Sequence, residues 1–109
     1  MHKICSINDI PCGEARSFIV EGKSIFIVNH HNDFYAYKNR CPHNRLELEW
    51  EEHQFLSRDG LHIQCANHGA LFQIENGHCI AGPCSGFALT PFNIHTVSYT
   101  HLTLPTIRL

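Results

Sequence analysis

Short apolar runs punctuated by polar turn residues make up most of this chain, with little of the 3.6-residue spacing that marks an amphipathic helix. Residues 17–20 (SFIV) and 24–30 (SIFIVNH) flank Glu21, Gly22 and Lys23, a hairpin pattern. Residues 31–33 (HND) form a second turn leading into 34–38 (FYAYK). Asp59-Gly60 precedes a short strand at 61–64 (LHIQ). Asn76-Gly77 joins 70–74 (ALFQI) to 78–80 (HCI), and both turn residues tolerate a positive φ, which predicts a tight hairpin. Turns at intervals of about eight to twelve residues predict an all-β fold, a small antiparallel barrel or sandwich.

One stretch breaks this rhythm. Residues 39–60 (NRCPHNRLELEWEEHQFLSRDG) form a long connection, and long connections in small domains usually carry function. Near its start stand Cys41-Pro42-His43. In an extended segment residues i and i+2 lie on one side, roughly 6.6 Å apart, wide for one small ion but suited to two adjacent metals. A second mixed pair, Cys65-Ala66-Asn67-His68, follows after 21 intervening residues. Each pair begins a loop just after a predicted strand, so two loops can each offer a thiolate and an imidazole from opposite sides. Structural zinc sites favour C-x₂₋₄-C and H-x₃₋₅-H pairs, and neither pair here has that form. The spacing favours an iron–sulfur centre and leaves a zinc-binding structural module open.

Composition narrows the classes further. A chain of 109 residues is one domain, and its 43% hydrophobic and 17% charged fractions are those of a globular protein. A formal charge of −2 with no Lys/Arg cluster argues against a nucleic-acid partner. The N-terminal MHKICSINDIP lacks the apolar run of a signal peptide and no stretch is long enough to span a membrane, so a cytoplasmic location is expected. Six cysteines are too few for a disulfide scaffold, and in a reducing compartment they point to metal or redox chemistry.

The two ligand pairs, read as CPH…CANHG, resemble the Rieske signature, in which two histidines replace two cysteines on one iron of a 2Fe–2S cluster. The segment HGALFQIENGHCIAGPCSGFAL is similar to the region after the second ligand loop of Rieske ferredoxins, and EWEEHQFL resembles the inter-loop insertion of small stand-alone bacterial members. The resemblance implies that Cys41 and Cys65 hold the inner iron and that His43 and His68 hold the outer iron near the surface. Gly82 and Pro83 match the proline loop that covers the cluster. Members often carry glycine two residues after the first histidine, where this chain has Arg45.

Two neutral imidazoles in place of thiolates make the cluster less negative and lift its potential from roughly −400 mV into a range of roughly −150 to +300 mV. Respiratory members carry a serine and a tyrosine after the second pair, and a disulfide between the loops. Here Ala70 and Phe72 stand at the hydroxyl positions and the extra cysteines are missing, which implies a ferredoxin type in the lower third of that range. Reduction is expected to raise the pKa of the histidine ligands, because imidazolium is favoured beside a more negative cluster.

The function implied is that of a one-electron carrier rather than an enzyme, because no mononuclear-iron triad, nucleotide loop or nucleophile elbow is present. The resemblance suggests a flavin reductase as donor and an oxygenase or similar enzyme as acceptor. A small accessory subunit of a larger reductase is the alternative, and a redox sensor is disfavoured because no effector-binding segment is visible. Glu47, Glu49, Glu51 and Glu52 read as a solvated loop or as an acidic docking face for a basic partner. Trp50 fits a loop cover or the core equally. Cys79 and Cys84 read as buried thiols or a local disulfide, and Cys5 and Cys12, on an edge strand and a turn, take no role. The other histidines read as ordinary strand and turn residues. The last stretch, VSYTHLTLPTIRL, admits a strand, but VSYTHLTLPT resembles the in-frame translation of a transposase adapter used in sequencing libraries. Residues 1–96 are therefore expected to be the Rieske domain and 97–109 adapter read-through, with the native C-terminal segment missing.

Overall fold

The computed structural model describes residues 2–40, 42, 48, 54–65, 69–82, 86–97 and 101–104. They form three antiparallel sheets. The longest strands are β2 (Ala15–Val20), β3 (Lys23–His30) and β4 (Asp33–Lys38), which with the short β8 (Pro91–Phe92) make a sheet ordered β2-β3-β4-β8. A second sheet places β10 (His101–Leu104) between β1 (His2–Ser6) and β9 (His95–Val97). The third, ordered β5-β6-β7, comprises β5 (His62–Gln64), β6 (Leu71–Gln73) and β7 (Cys79–Ala81). A single 3-10 turn over Ile7–Asp9 is capped by Ser6, whose hydroxyl accepts from the Asn8 N–H while its own N–H donates to Asp9. The all-β expectation holds, with the strands divided among three sheets.

Backbone conformation fixes the two hairpins of the large sheet. Glu21 and Gly22 have φ of 51° and 77°, and His31 and Asn32 have 55° and 66°. Two successive left-handed residues match the right-handed twist of the flanking strands. Lys23 and Asp33, expected in the turns, instead pair with Val20 and His30. The Asn76-Gly77 hairpin is wider than expected. Gly77 is left-handed at φ 73°, Asn76 is not, and the Gly77 N–H reaches back to the Gln73 carbonyl at 2.8 Å. The turn therefore spans residues 74–77. Asn76 supports it through its side chain, which accepts from the His78 N–H at 2.9 Å.

β3 explains where the core sits. Its run Ile25-Phe26-Ile27-Val28 is fully buried, so both faces of the strand are covered. Phe26 and Val28 join Tyr37, Leu48, Phe55, Ile63, Phe72 and Leu89 in one cluster, between the large sheet and the β5-β6-β7 sheet. Ile25 and Ile27 join Ile10, Val20, Ala36 and Leu102 in another, against the β1-β10-β9 sheet. Leu102, at the centre of the stretch expected to be adapter-derived, is wholly buried there.

Candidate metal centre

Of the four expected ligands, Cys65 is described; Cys41, His43 and His68 lie outside the described residues, as do Pro83, Cys84, Arg45, Trp50 and Glu47, Glu49, Glu51 and Glu52. Among the described residues no group of three His, Cys, Asp or Glu side chains comes together as a metal site. What is visible is how the bases of the two loops expected to carry the ligands are built.

The second loop grows from the end of β5. Cys65 is fully buried and belongs to the same cluster as Leu48, Ala70 and Phe72. Its N–H donates to the Ala70 carbonyl at 2.9 Å, and its carbonyl accepts from the Gly69 N–H at 2.8 Å. These bonds hold Gly69 and Ala70 against Cys65. Gly69 permits this through a left-handed φ of 66°. Ala70 and Phe72, the positions without a hydroxyl, are both fully buried beside it.

The first loop is closed at its base by Asn39, directly after β4. Asn39 is 4% exposed, and its side-chain oxygen accepts from the Leu48 N–H at 2.9 Å, while its amide group donates to the Ser24 hydroxyl at 3.2 Å. Its backbone N–H bonds the Ser24 carbonyl at 3.0 Å. Residues 39 and 48, which bracket Cys41 and His43, are thus held together, and Leu48 is fully buried in the cluster that contains Cys65. A single packed core supports both loops.

A third element completes the frame. Gly82, expected in the covering loop, has φ 97°, and a Cβ there would lie 2.8 Å from the Ala70 Cα. The backbone at 82 therefore lies flat against the second loop, a fit that only glycine allows. Phe55 anchors the end of the long connection by stacking on Phe26, with ring centroids 4.3 Å apart and planes at 10°. That end is not a featureless loop: Gln64 and Ser57 donate their N–H groups to Phe55 and His62 at 2.8 Å, and Leu56 bridges Ile63. At its tip the Ser57 hydroxyl and then the Leu61 N–H hold the Asp59 carboxylate below its ordinary range.

The other described cysteines, Cys5, Cys12 and Cys79, are unbridged. Burial, and then the Asp9 charge, push the Cys5 thiol up to about 11, so it stays protonated at neutral pH. Cys12 is exposed on a turn. Cys79 is half-buried and unbridged, its thiol donating to the Ala81 carbonyl at 3.2 Å. His30 contacts Glu75 at 3.2 Å and packs against His31, with ring centroids 4.1 Å apart. The sequence reading passed over Asn39, Tyr37 and Phe55. The one available signal was position, since Asn39 directly follows a strand, two residues before Cys41.

Among the described residues, the buried Cys65 thiol and the pinned base of the first loop stand on one core. The sequence profile of the Rieske [2Fe-2S] domain matches residues 1–98. The ferredoxin component of the alkene monooxygenase system of Xanthobacter autotrophicus is 35% identical over 77 residues, 71% of this chain and 60% of that protein. The biphenyl dioxygenase ferredoxin subunit of a Pseudomonas species is 27% identical over 93 residues, 84% of this chain and 82% of the subunit. In fold, the chain resembles the ferredoxin of carbazole 1,9a-dioxygenase from Nocardioides aromaticivorans, with a TM-score of 0.76 and 21% identity, covering 95% of this chain and 96% of the other. A solved complex of reduced oxygenase and oxidised ferredoxin in carbazole 1,9a-dioxygenase contains a chain that matches with a TM-score of 0.77 at 23% identity, covering 98% and 94%.

Proposed function

Because the chain belongs to the Rieske [2Fe-2S] domain family, we propose that it is a ferredoxin-type carrier of single electrons between a reductase and an oxygenase or similar enzyme. The observation that carries this reading is the family match over residues 1–98, which contains both mixed Cys/His pairs. The relatives that are ferredoxin components of oxygenase systems support the choice of partners. In this reading Cys41 and Cys65 are the thiolate ligands of the inner iron, and His43 and His68 the imidazole ligands of the outer one. When bound, such a cluster takes up and gives back one electron at roughly −150 to +300 mV.

The chain's own residues do three things for that chemistry. Burial of Cys65 keeps water from the inner thiolate, and its backbone bonds to Gly69 and Ala70 fix its direction. Asn39 and Leu48 hold the base of the first loop against the same core. Ala70 and Phe72 bring no hydroxyl to hydrogen-bond a sulfur, which supports a potential in the lower third of the range. The reading also takes the protein to be cytoplasmic; among the described residues no helix is long and apolar enough to cross a membrane. It keeps residues 1–96 as the domain and 97–109 as adapter read-through, a boundary close to the end of the profile match at residue 98.

Iron and acid-labile sulfide analysis, with a low-temperature EPR spectrum after reduction, tests the proposal. Equimolar iron and sulfide with the signal of a mixed Cys/His cluster is the expected result, and Cys65→Ser should abolish the signal. A colourless protein holding zinc would overturn it in favour of a structural metal module.

A further inference from the structure

Outside the ligand pairs, one buried hydroxyl links the large sheet to the sheet that carries the second ligand loop. Tyr37 lies on β4 and is 2% exposed. Its hydroxyl donates to the Ile74 carbonyl at 2.5 Å, across to the turn between β6 and β7. Its ring fills the space under that turn, since a Cβ at Gly77 would come within 2.8 Å of the Tyr37 Cε1. The Leu89 N–H holds the same turn by donating to the Gly77 carbonyl at 2.9 Å.

β6 connects this anchor to the ligand loop. It is three residues long and paired on both edges, by β5 and by β7, so its backbone has little freedom to bend. Its far end meets Ile74, held by Tyr37. Its near end follows Ala70, whose carbonyl takes the Cys65 N–H and whose Cα supports Gly82. The four residue steps from Ile74 to Ala70 span roughly 13 Å of extended chain. We propose that Tyr37 is a positioning residue for the metal centre: its phenol fixes the far end of β6 and thereby the placement of the second ligand loop at the near end. This rests on the reading that Cys65 and His68 are ligands. Burial, and then the nearby Tyr35 and Glu75, push the phenol's pKa upward, so the hydroxyl remains a donor at neutral pH.

Hydrogen-exchange mass spectrometry on the full cofactor-bearing chain tests the strut, comparing wild type with Tyr37→Phe and with Ile27→Val, a conservative change in the other core cluster. Tyr37→Phe keeps the ring and loses one bond. It should speed exchange across residues 62–74 by roughly tenfold while β2 and β3 stay near wild type. The midpoint potential should move in Tyr37→Phe and stay at the wild-type value in Ile27→Val. Uniform acceleration over the whole chain, or none at residues 62–74, would overturn the proposal. Exchange is read without reference to iron. A wild-type protein lacking a cluster would therefore sink the carrier reading, and the exchange pattern would still decide whether Tyr37 is the strut.

Discussion

Asn39 pins the base of the first loop because its amide satisfies groups from two segments at once. Its oxygen takes the N–H of the fully buried Leu48, and its nitrogen reaches Ser24 on the neighbouring strand. Replacing it by alanine leaves the Leu48 N–H buried without its acceptor, at about 1–3 kcal/mol. Ser24→Ala removes only the hydroxyl side of the pairing and should cost about 1 kcal/mol or less. Urea unfolding should rank the two variants in that order, and bleaching of the visible spectrum should be faster for Asn39→Ala. Equal losses in both would mean that the Leu48 bond contributes nothing. At this scale the sequence displayed the candidate donors and hid the support of the loops that carry them. Cys65 and His68 announce themselves by residue type and spacing, whereas an asparagine at a strand end looks like any turn residue. Its value comes from Leu48, nine positions away, whose burial depends on the tertiary fold.

Among the elements, two glycines that flank strands of the third sheet separate backbone strain from close packing. Gly60 and Gly82 both have left-handed φ, 73° and 97°. A Cβ on Gly60 meets nothing within 4 Å, so Gly60→Ala should cost only the conformational penalty of about 1–2 kcal/mol. A Cβ on Gly82 meets the Ala70 Cα at 2.8 Å, and a backbone atom cannot swing aside as a flexible side chain would. Gly82→Ala should therefore cost a further 1–3 kcal/mol or so and, by pushing on the second loop, lower the iron bound per chain. Thermal melts with iron analysis on both variants decide it, and full iron content in Gly82→Ala would refute the link from covering loop to ligand loop. Element type and rough position were legible because β3, β4 and the 62–64 strand are short apolar or β-favouring runs bounded by turn residues. The Asn76-Gly77 hairpin was legible in place but not in width. Asn76 uses its side chain to cap His78, and a side-chain bond of that kind cannot be told from a left-handed backbone by residue type.

For the molecule as a whole, the decisive feature is that β3 is shared by two cores with different tasks. Phe26 and Val28 face the cluster that contains Cys65, Tyr37 and Leu48, while Ile25 and Ile27 face the one closed by Leu102. The run IFIV predicts burial, but nothing in it says that the second face is covered by a sheet whose middle strand comes from residues 101–104. That assignment needs the pairing of β10 with β1, nearly the full chain length apart, which no local pattern encodes. The division has a measurable consequence. Leu102→Ala empties a fully buried site in the core remote from Cys65, at about 2–5 kcal/mol. Phe72→Ala removes a fully buried ring from the core that contains Cys65, at about 3–5 kcal/mol. Both variants should unfold at lower denaturant, so stability alone does not tell the cores apart. The EPR spectrum of the folded fraction does: Leu102→Ala should keep the wild-type line shape, and Phe72→Ala should shift or broaden it, because Phe72 sits two residues from Ala70 on the strand that carries the second loop. A perturbed spectrum in Leu102→Ala would mean that strain crosses β3 from one face to the other and that the two cores act as one.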